Sequence, residues 1–315
     1  MRFVVNFSLL VFILSLPLGA AEVTKVTIDV SGFFLTRGAG TTTPLVSLSA
    51  NAGTGDIFTT DSVALNTWNP GGDLRLGLSW SKLGAEVRGF MIAKWSKSAT
   101  YTQTVNSLIA IETNPSFSYG LWLDQTLTAN NESILKGLDA NLTYDLTPAI
   151  RLYGGFRYLR INETFSLLGA FGGGNTELDI WNTTNSMLGG QIATRVELLR
   201  LGNEATRGFT AQGHGAIALF HNSAHADFTV VDIHDLVTAA ANKVSPAVEA
   251  GFQVGYRLGR KIELHAGYDL MWLNSVAQAI RHLPAMTPYI TTPTLSLVFD
   301  SLVIHGAKVG VTIRF

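Results

Sequence analysis

Residues 261 to 273 read KIELHAGYDLMWL: Ile262, Leu264, Ala266, Tyr268, Leu270 and Trp272 fall on every second position, with Glu263, His265, Gly267, Asp269 and Met271 between them. A strand sends successive side chains to opposite faces, so this stretch has one apolar face and one mostly polar face. In a soluble sheet the apolar face packs on a core and the polar face meets water. In an outer-membrane barrel the apolar face meets lipid and the polar face lines the bore. The local pattern is the same in both, so the rest of the chain has to decide.

The alternation recurs at 26–34, 74–80, 85–91, 138–144, 152–158, 188–198, 209–219, 248–256 and 307–315, which makes ten strands with the opening stretch. Four of the links are short: SKLG (81–84), DLTP (145–148), RLGNEATR (200–207) and LGRK (258–261). The other five, roughly 39–72, 98–132, 166–186, 221–246 and 276–300, are long, and long and short links alternate strictly. An even strand number with tight turns at one end and long loops at the other is the layout of an up-and-down transmembrane β-barrel with both termini periplasmic. The fold expected is therefore all-β, an antiparallel barrel of about ten strands. Twelve is the alternative if SLIAI (107–111) and YGLWL (119–123) add a hairpin.

Charge follows the same division. The polar faces carry Asp29, Arg75, Glu86, Arg88, Asp139, Arg151, Arg157, Arg195, Glu197, Glu249, Arg257, Glu263, Asp269, Lys308 and Arg314, seven acids and eight bases, while the opposite faces are almost uncharged. A secreted soluble sandwich, the competing fold, would scatter Lys, Glu and Ser outward. Here arginines and carboxylates sit at strand centres, where forked guanidinium pairing suits a confined bore. These fifteen residues are the expected lumen lining. Charged residues are only 14% of the chain, against about a quarter in a soluble domain. The formal net charge of -1 gives no reason to expect nucleic acid, and the absence of cysteine removes thiolate metal sites and disulfides.

The N-terminus adds a compartment. Arg2, an apolar run from Val4 to Leu16, Pro17 and then Gly19-Ala20-Ala21 before Glu22 form a Sec-type signal peptide over residues 1–21, leaving 22–315 as the barrel. The run is short for a membrane anchor, and no later stretch reaches 18 consecutive apolar residues. The expected location is the bacterial outer membrane. Phe315, ending an alternating segment, has the form of the C-terminal aromatic signal read by barrel-assembly machinery. Phe34, Trp80, Tyr144, Tyr158, Tyr256 and Trp272 near strand ends suit interfacial girdles.

GFRYLRINETF (155–165) resembles the glycine, aromatic, Arg-Tyr-Leu and downstream Glu signature of the beta-barrel porin seven family. Four further blocks are similar to that family's in the same order: LRLGLSWSKLGAEVRGF (74–90), LKGLDANLTYDL (135–146), NTTNSMLGGQIATRVEL (182–198) and the stretch 248–276. Trp80-Ser81 departs from the Trp-Leu of many members. The resemblance spans most of the mature chain and implies an outer-membrane barrel with no catalytic residues to transfer.

Reactive constellations are sparse. His221 and His225 are four apart at what reads as a strand-to-loop exit, where solvated histidines are the simpler account than a metal pair. Asp232-Ile233-His234 resembles the Asp-x-His pair of ten-stranded outer-membrane proteases, but no Asp-x-Asp occurs in the chain to supply their acidic pair. IHDLVTAAANKV (233–244) reads as a short loop helix, and FGGGN (171–175) as a flexible loop. No enzyme activity, cofactor or metal is expected. The expected function is a narrow porin-like channel for ions or small solutes. Because ten strands leave little more than room for their own side chains, the alternative is a closed barrel acting structurally or through its loops.

Overall fold

The computed structural model describes residues 25–38, 44–48, 56–102, 107–110, 118–121, 126–170, 176–202, 207–230, 235–281 and 296–315. The expected signal peptide lies outside these residues, as do FGGGN (171–175) and Asp232, Ile233 and His234. The strands of the first half are β1 (Lys25–Arg37), β2 (Pro44–Leu48), β3 (Asp56–Thr59), β4 (Asn69–Trp80), β5 (Leu83–Ile92), β6 (Trp95–Thr102), β7 (Ser107–Ala110) and β8 (Ser118–Leu121). Then follow β9 (Thr126–Thr147), β10 (Ile150–Ala170), β11 (Thr176–Gly202), β12 (Gly208–Val230), β13 (Asp235–Arg257), β14 (Ile262–Ala277) and β15 (Phe299–Arg314).

Eleven of these form one antiparallel sheet, ordered β10-β11-β12-β13-β14-β15-β1-β4-β5-β9-β6 and closed by the pairing of β9 with β10. β5 pairs with Lys136–Tyr144 of β9 and β6 with Thr126–Ser133 of the same strand edge, so β5 and β6 lie end to end. The ring thus has the ten wall positions expected. SLIAI and YGLWL contribute the hairpin β7–β8, but it joins a separate four-stranded sheet, β3-β2-β7-β8, so the twelve-strand alternative is not realised. The two ends of the described chain meet at the short-turn side, where Val26 N donates to Phe315 O (3.2 Å) and Phe315 N to Val26 O (2.9 Å). Ser81, in the two-residue turn between β4 and β5, supplies the positive φ (57°) such a turn needs.

In KIELHAGYDLMWL, Ile262, Leu264 and Leu270 are exposed outside the wall, while Glu263, His265 and Met271 are buried inside it. Every wall position places large apolar side chains outward, among them Phe34, Leu76, Met91, Leu142, Phe156 (69% exposed), Ile192, Ile217, Phe252, Leu264 and Val309. A continuous apolar surface on all sides is incompatible with water and is what hydrocarbon requires. No helix of the described residues is long and apolar enough to cross a membrane, and the crossing is made by strands.

The sequence reading of the long loops needs correction. Residues 166–186 and 221–246 are mostly strand: β9 to β13 run 21–27 residues, whereas about 9–11 cross a bilayer. HNSAH lies within β12 and not at a loop exit, and 235–244 is the start of β13 and not a helix. These extensions escape the alternation test because the pattern changes phase. On β10, Leu152 and Phe156 point outward with Arg151 and Arg157 inward; from Leu159 onward Arg160, Asn162, Thr164 and Ser166 point outward while Leu159, Ile161, Phe165 and Leu167 are buried inside. β9, β11 and β12 switch at the same level, as the partners Lys136↔Arg160↔Ser186↔Ser223 mark. Above that level the outer face carries polar contacts suited to water, such as Thr164 Oγ1 to Asn182 Oδ1 (2.8 Å) and Lys94 to Glu132 (2.7 Å).

Candidate functional site

The bore is filled in layers, beginning at the short-turn end with an open polar cup of about 740 Å³. Nine of the fifteen charged residues singled out in the sequence line it: Asp29, Arg75, Glu86, Arg151, Arg195, Glu197, Arg257, Glu263 and Arg314. Its carboxylates are engaged. Arg314 Nη2 lies 2.6 Å from Glu263 and Arg257 Nε 3.3 Å from it; Arg151 grips Asp145 at 2.5 and 2.9 Å; Thr312 donates to Asp29 at 2.5 Å, with His265 at 2.9 Å.

The next layer closes the cup and uses the other six, Arg88, Asp139, Arg157, Glu249, Asp269 and Lys308, around a gap of only about 60 Å³. Register explains half of it: Asp29, Arg75, Arg88, Asp139 and Arg157 are successive partners across five adjacent strands, a single row along the hydrogen-bonding direction. Arg157 holds Asp139 through both fork nitrogens (2.8 and 2.9 Å). Glu249 reaches from β13, on the far wall, to Arg157 (2.6 Å) and Arg88 (3.5 Å), and Arg88 also pairs with Asp73. These bridges cross the bore, and His214 with Asp269 (3.2 Å) adds to them.

Beyond the ionic layer the interior is apolar. Phe33, Ile92, Trp95, Leu135, Leu159, Ile161, Met187, Phe220, Leu273 and Ile304 form one buried cluster, with Leu65 entering from the link before β4. Phe90 reaches this cluster by lying over Gly137, where an added Cβ would fall 2.2 Å from the ring; glycine is needed there for the close approach.

A further layer ties an inward-folded segment across the bore. After Leu273 the β14–β15 register slips, Ser275 takes a positive φ of 55°, and the chain turns inward to a 3-10 turn, Ala279–Arg281. Asn185 of β11 holds this segment by donating to Ala277 O (2.7 Å) and accepting from Ala277 N (2.9 Å). Asn222 donates to Ser275 O (2.9 Å), and Glu163 accepts from Ala279 N (3.1 Å) while pairing with Arg37 of β1. Rings of Phe165, Trp181 and Phe228 fill the bore above, with centroids 5.6 and 4.7 Å apart.

Four buried charges, Arg37, Asp73, Glu163 and Asp179, were not among the fifteen. Asp73 sits two positions before Arg75, Arg37 four beyond Phe33, and Glu163 and Asp179 keep the parity of Arg157 and Gln191, so continued alternation would have found all four. The inward path of residues 274–281 has no such local signal. Among the described residues no cluster of His, Asp and Glu has the arrangement of a metal site.

This geometry defines the class: an up-and-down antiparallel β-barrel of the outer-membrane kind, with a filled bore. No family model matches the chain, and no curated protein matches it. Among solved structures it is similar to the outer membrane protease OmpT from Escherichia coli, at 9% identity over 93% of this chain and 97% of that one, with a TM-score of 0.51. The translocator domain of the autotransporter NalP from Neisseria meningitidis aligns at 13% identity over 93% and 90% of the two chains, with a TM-score of 0.40. At these identities the first likeness bears on the barrel fold alone, and the second is too distant to add to it.

Proposed function

We propose that the chain is an integral protein of the bacterial outer membrane whose bore is closed at rest, and that it acts as a rigid support for the strand extensions and connections it carries beyond the bilayer. The observation that carries this reading is the dry layer across the bore: Leu135, Leu159, Ile161, Met187, Phe220 and Leu273 are each no more than 1% exposed. A solute passing there would have to part packed side chains and the ionic bridges below them. The role that fits is structural or surface recognition, the alternative drawn from the sequence, in preference to a standing channel. The ordered blocks resembling the beta-barrel porin seven family are compatible with either.

A narrow channel is the second reading, favoured by the polar cup, which stops at the ionic layer. It requires the segment 274–281 to move. Catalysis is not part of the proposal: the protease activity of the OmpT structure belongs to that protein, the chain has no Asp-x-Asp, and His214 and His265 are committed to Asp269 and Asp29 inside the bore. Export by the signal peptide and reading of Phe315 by assembly machinery complete the proposal. Liposomes carrying the purified protein should retain small sugars as well as empty liposomes do. Swelling at a rate proportional to protein would overturn the closed-bore reading.

A further inference from the structure

The cup at the short-turn end is lined by eight basic side chains and five carboxylates. The five carboxylates, Asp29, Glu86, Asp145, Glu197 and Glu263, each already have a basic partner within 4 Å. Two of the cup's arginines have no ion pair among the described residues: Arg260, exposed in the turn between β13 and β14, and Arg195, on the wall inside the cup. Its register neighbours are Arg151 on β10 and His214 on β12, so no carboxylate stands directly opposite it on either side. Among the described residues no carboxylate lies within ion-pair distance of its guanidinium, which packs over the Tyr153 ring at 5.4 Å. Like charges directly opposed across strands destabilise a sheet unless something offsets them. An aromatic face steadies a guanidinium without consuming its N–H donors.

We infer that the cup is a binding site for a small organic anion bearing a phosphate or carboxylate group, with Arg195 as its principal contact. A guanidinium fork accepts either oxyanion through two parallel hydrogen bonds. The volume lies within the range of about 300–1,000 Å³ common to small-molecule sites. The cup ends at the Arg88–Glu249–Arg157 bridges, so it has one entrance, at the end where both chain termini meet. A ligand enters from that side and leaves by it. The inference goes beyond the closed-bore reading and is measured without a bilayer, so either can fail alone.

Titration calorimetry on the full protein in detergent, with inorganic phosphate and with citrate as probes in about 0.15 M salt, tests the site. Saturable binding of one or both probes is expected, and the stronger probe assigns the class. Arg195→Gln should weaken that binding about tenfold or more, and Arg195→Glu should abolish it. Arg160→Gln, on the outer face, should leave it unchanged. Heat-dependent gel mobility verifies that each variant is folded, which the lack of an ion-pair partner for Arg195 leads us to expect. Absence of saturable binding by either probe, or equal binding by wild type and Arg195→Gln, would overturn the assignment.

Discussion

Glu249 connects opposite walls through two guanidiniums, and its position shows how much a single side chain can depend on register. Removing one partner of a buried ionic cluster leaves uncompensated charge, at a cost of about 3–5 kcal/mol. Glu249→Ala should therefore lower unfolding stability in urea by about 3 kcal/mol. Replacing the whole cluster, Asp73, Arg88, Asp139, Arg157 and Glu249, by apolar residues of similar size should recover most of it, because well-packed apolar groups replace such clusters at little cost once no buried carboxylate is left unpaired. A fivefold variant no more stable than Glu249→Ala would show that the five are not one unit. Phe315 makes the opposite case. Its side chain is 63% exposed and only its backbone is paired to Val26, so Phe315→Ala should leave stability unchanged while reducing the amount of barrel assembled in cells. A drop in stability equal to the drop in yield would remove the recognition role. The inward charges were legible in the sequence because parity is a local property; which acid meets which base was not, because Glu249 meets Arg88 over 161 positions.

At the scale of the element, the phase change along β9 to β12 is the main thing the sequence contained and simple alternation did not extract. Apolar-out, polar-in residues cross the hydrocarbon, and polar-out, apolar-in residues continue the same strand into water. One strand thus satisfies two solvents, and a test for a single phase ends it too early. The chain has no cysteine, so single-cysteine nitroxide labels can read this directly. Labels at Leu188 and Ile192 should be reached by oxygen from the lipid, and a label at Thr184, above the switch, by a water-soluble nickel chelate. Equal chelate access at Ile192 and Thr184 would place the boundary elsewhere. The tie of 274–281 to Asn185 is also an element-scale matter. Asn185→Leu leaves the backbone N–H and C=O of Ala277 without partners, at about 1–3 kcal/mol each when buried. Faster proteolysis within 274–281 of that variant is expected, with the wall intact; unchanged proteolysis would mean that the segment is held by packing alone.

For the whole molecule, the wall was legible in the sequence and the filling was not. Ten wall positions and the outward apolar face follow from periodicity and spacing, whereas two of the links expected to be long, 166–186 and 221–246, are mostly strand. The closed bore depends on side chains meeting from strands far apart in sequence and on a loop that turns inward. The expected channel followed from a polar inner face; the apolar cluster one layer further along the same strands is what alters that expectation. Ten strands allow this because the bore is narrow enough for side chains to span it. Single-channel recording in planar bilayers tests the closed bore most directly. The purified protein, inserted and folded by heat-modifiability, is expected to give no steady conductance at any salt concentration, whereas steady steps that scale with salt would contradict the account.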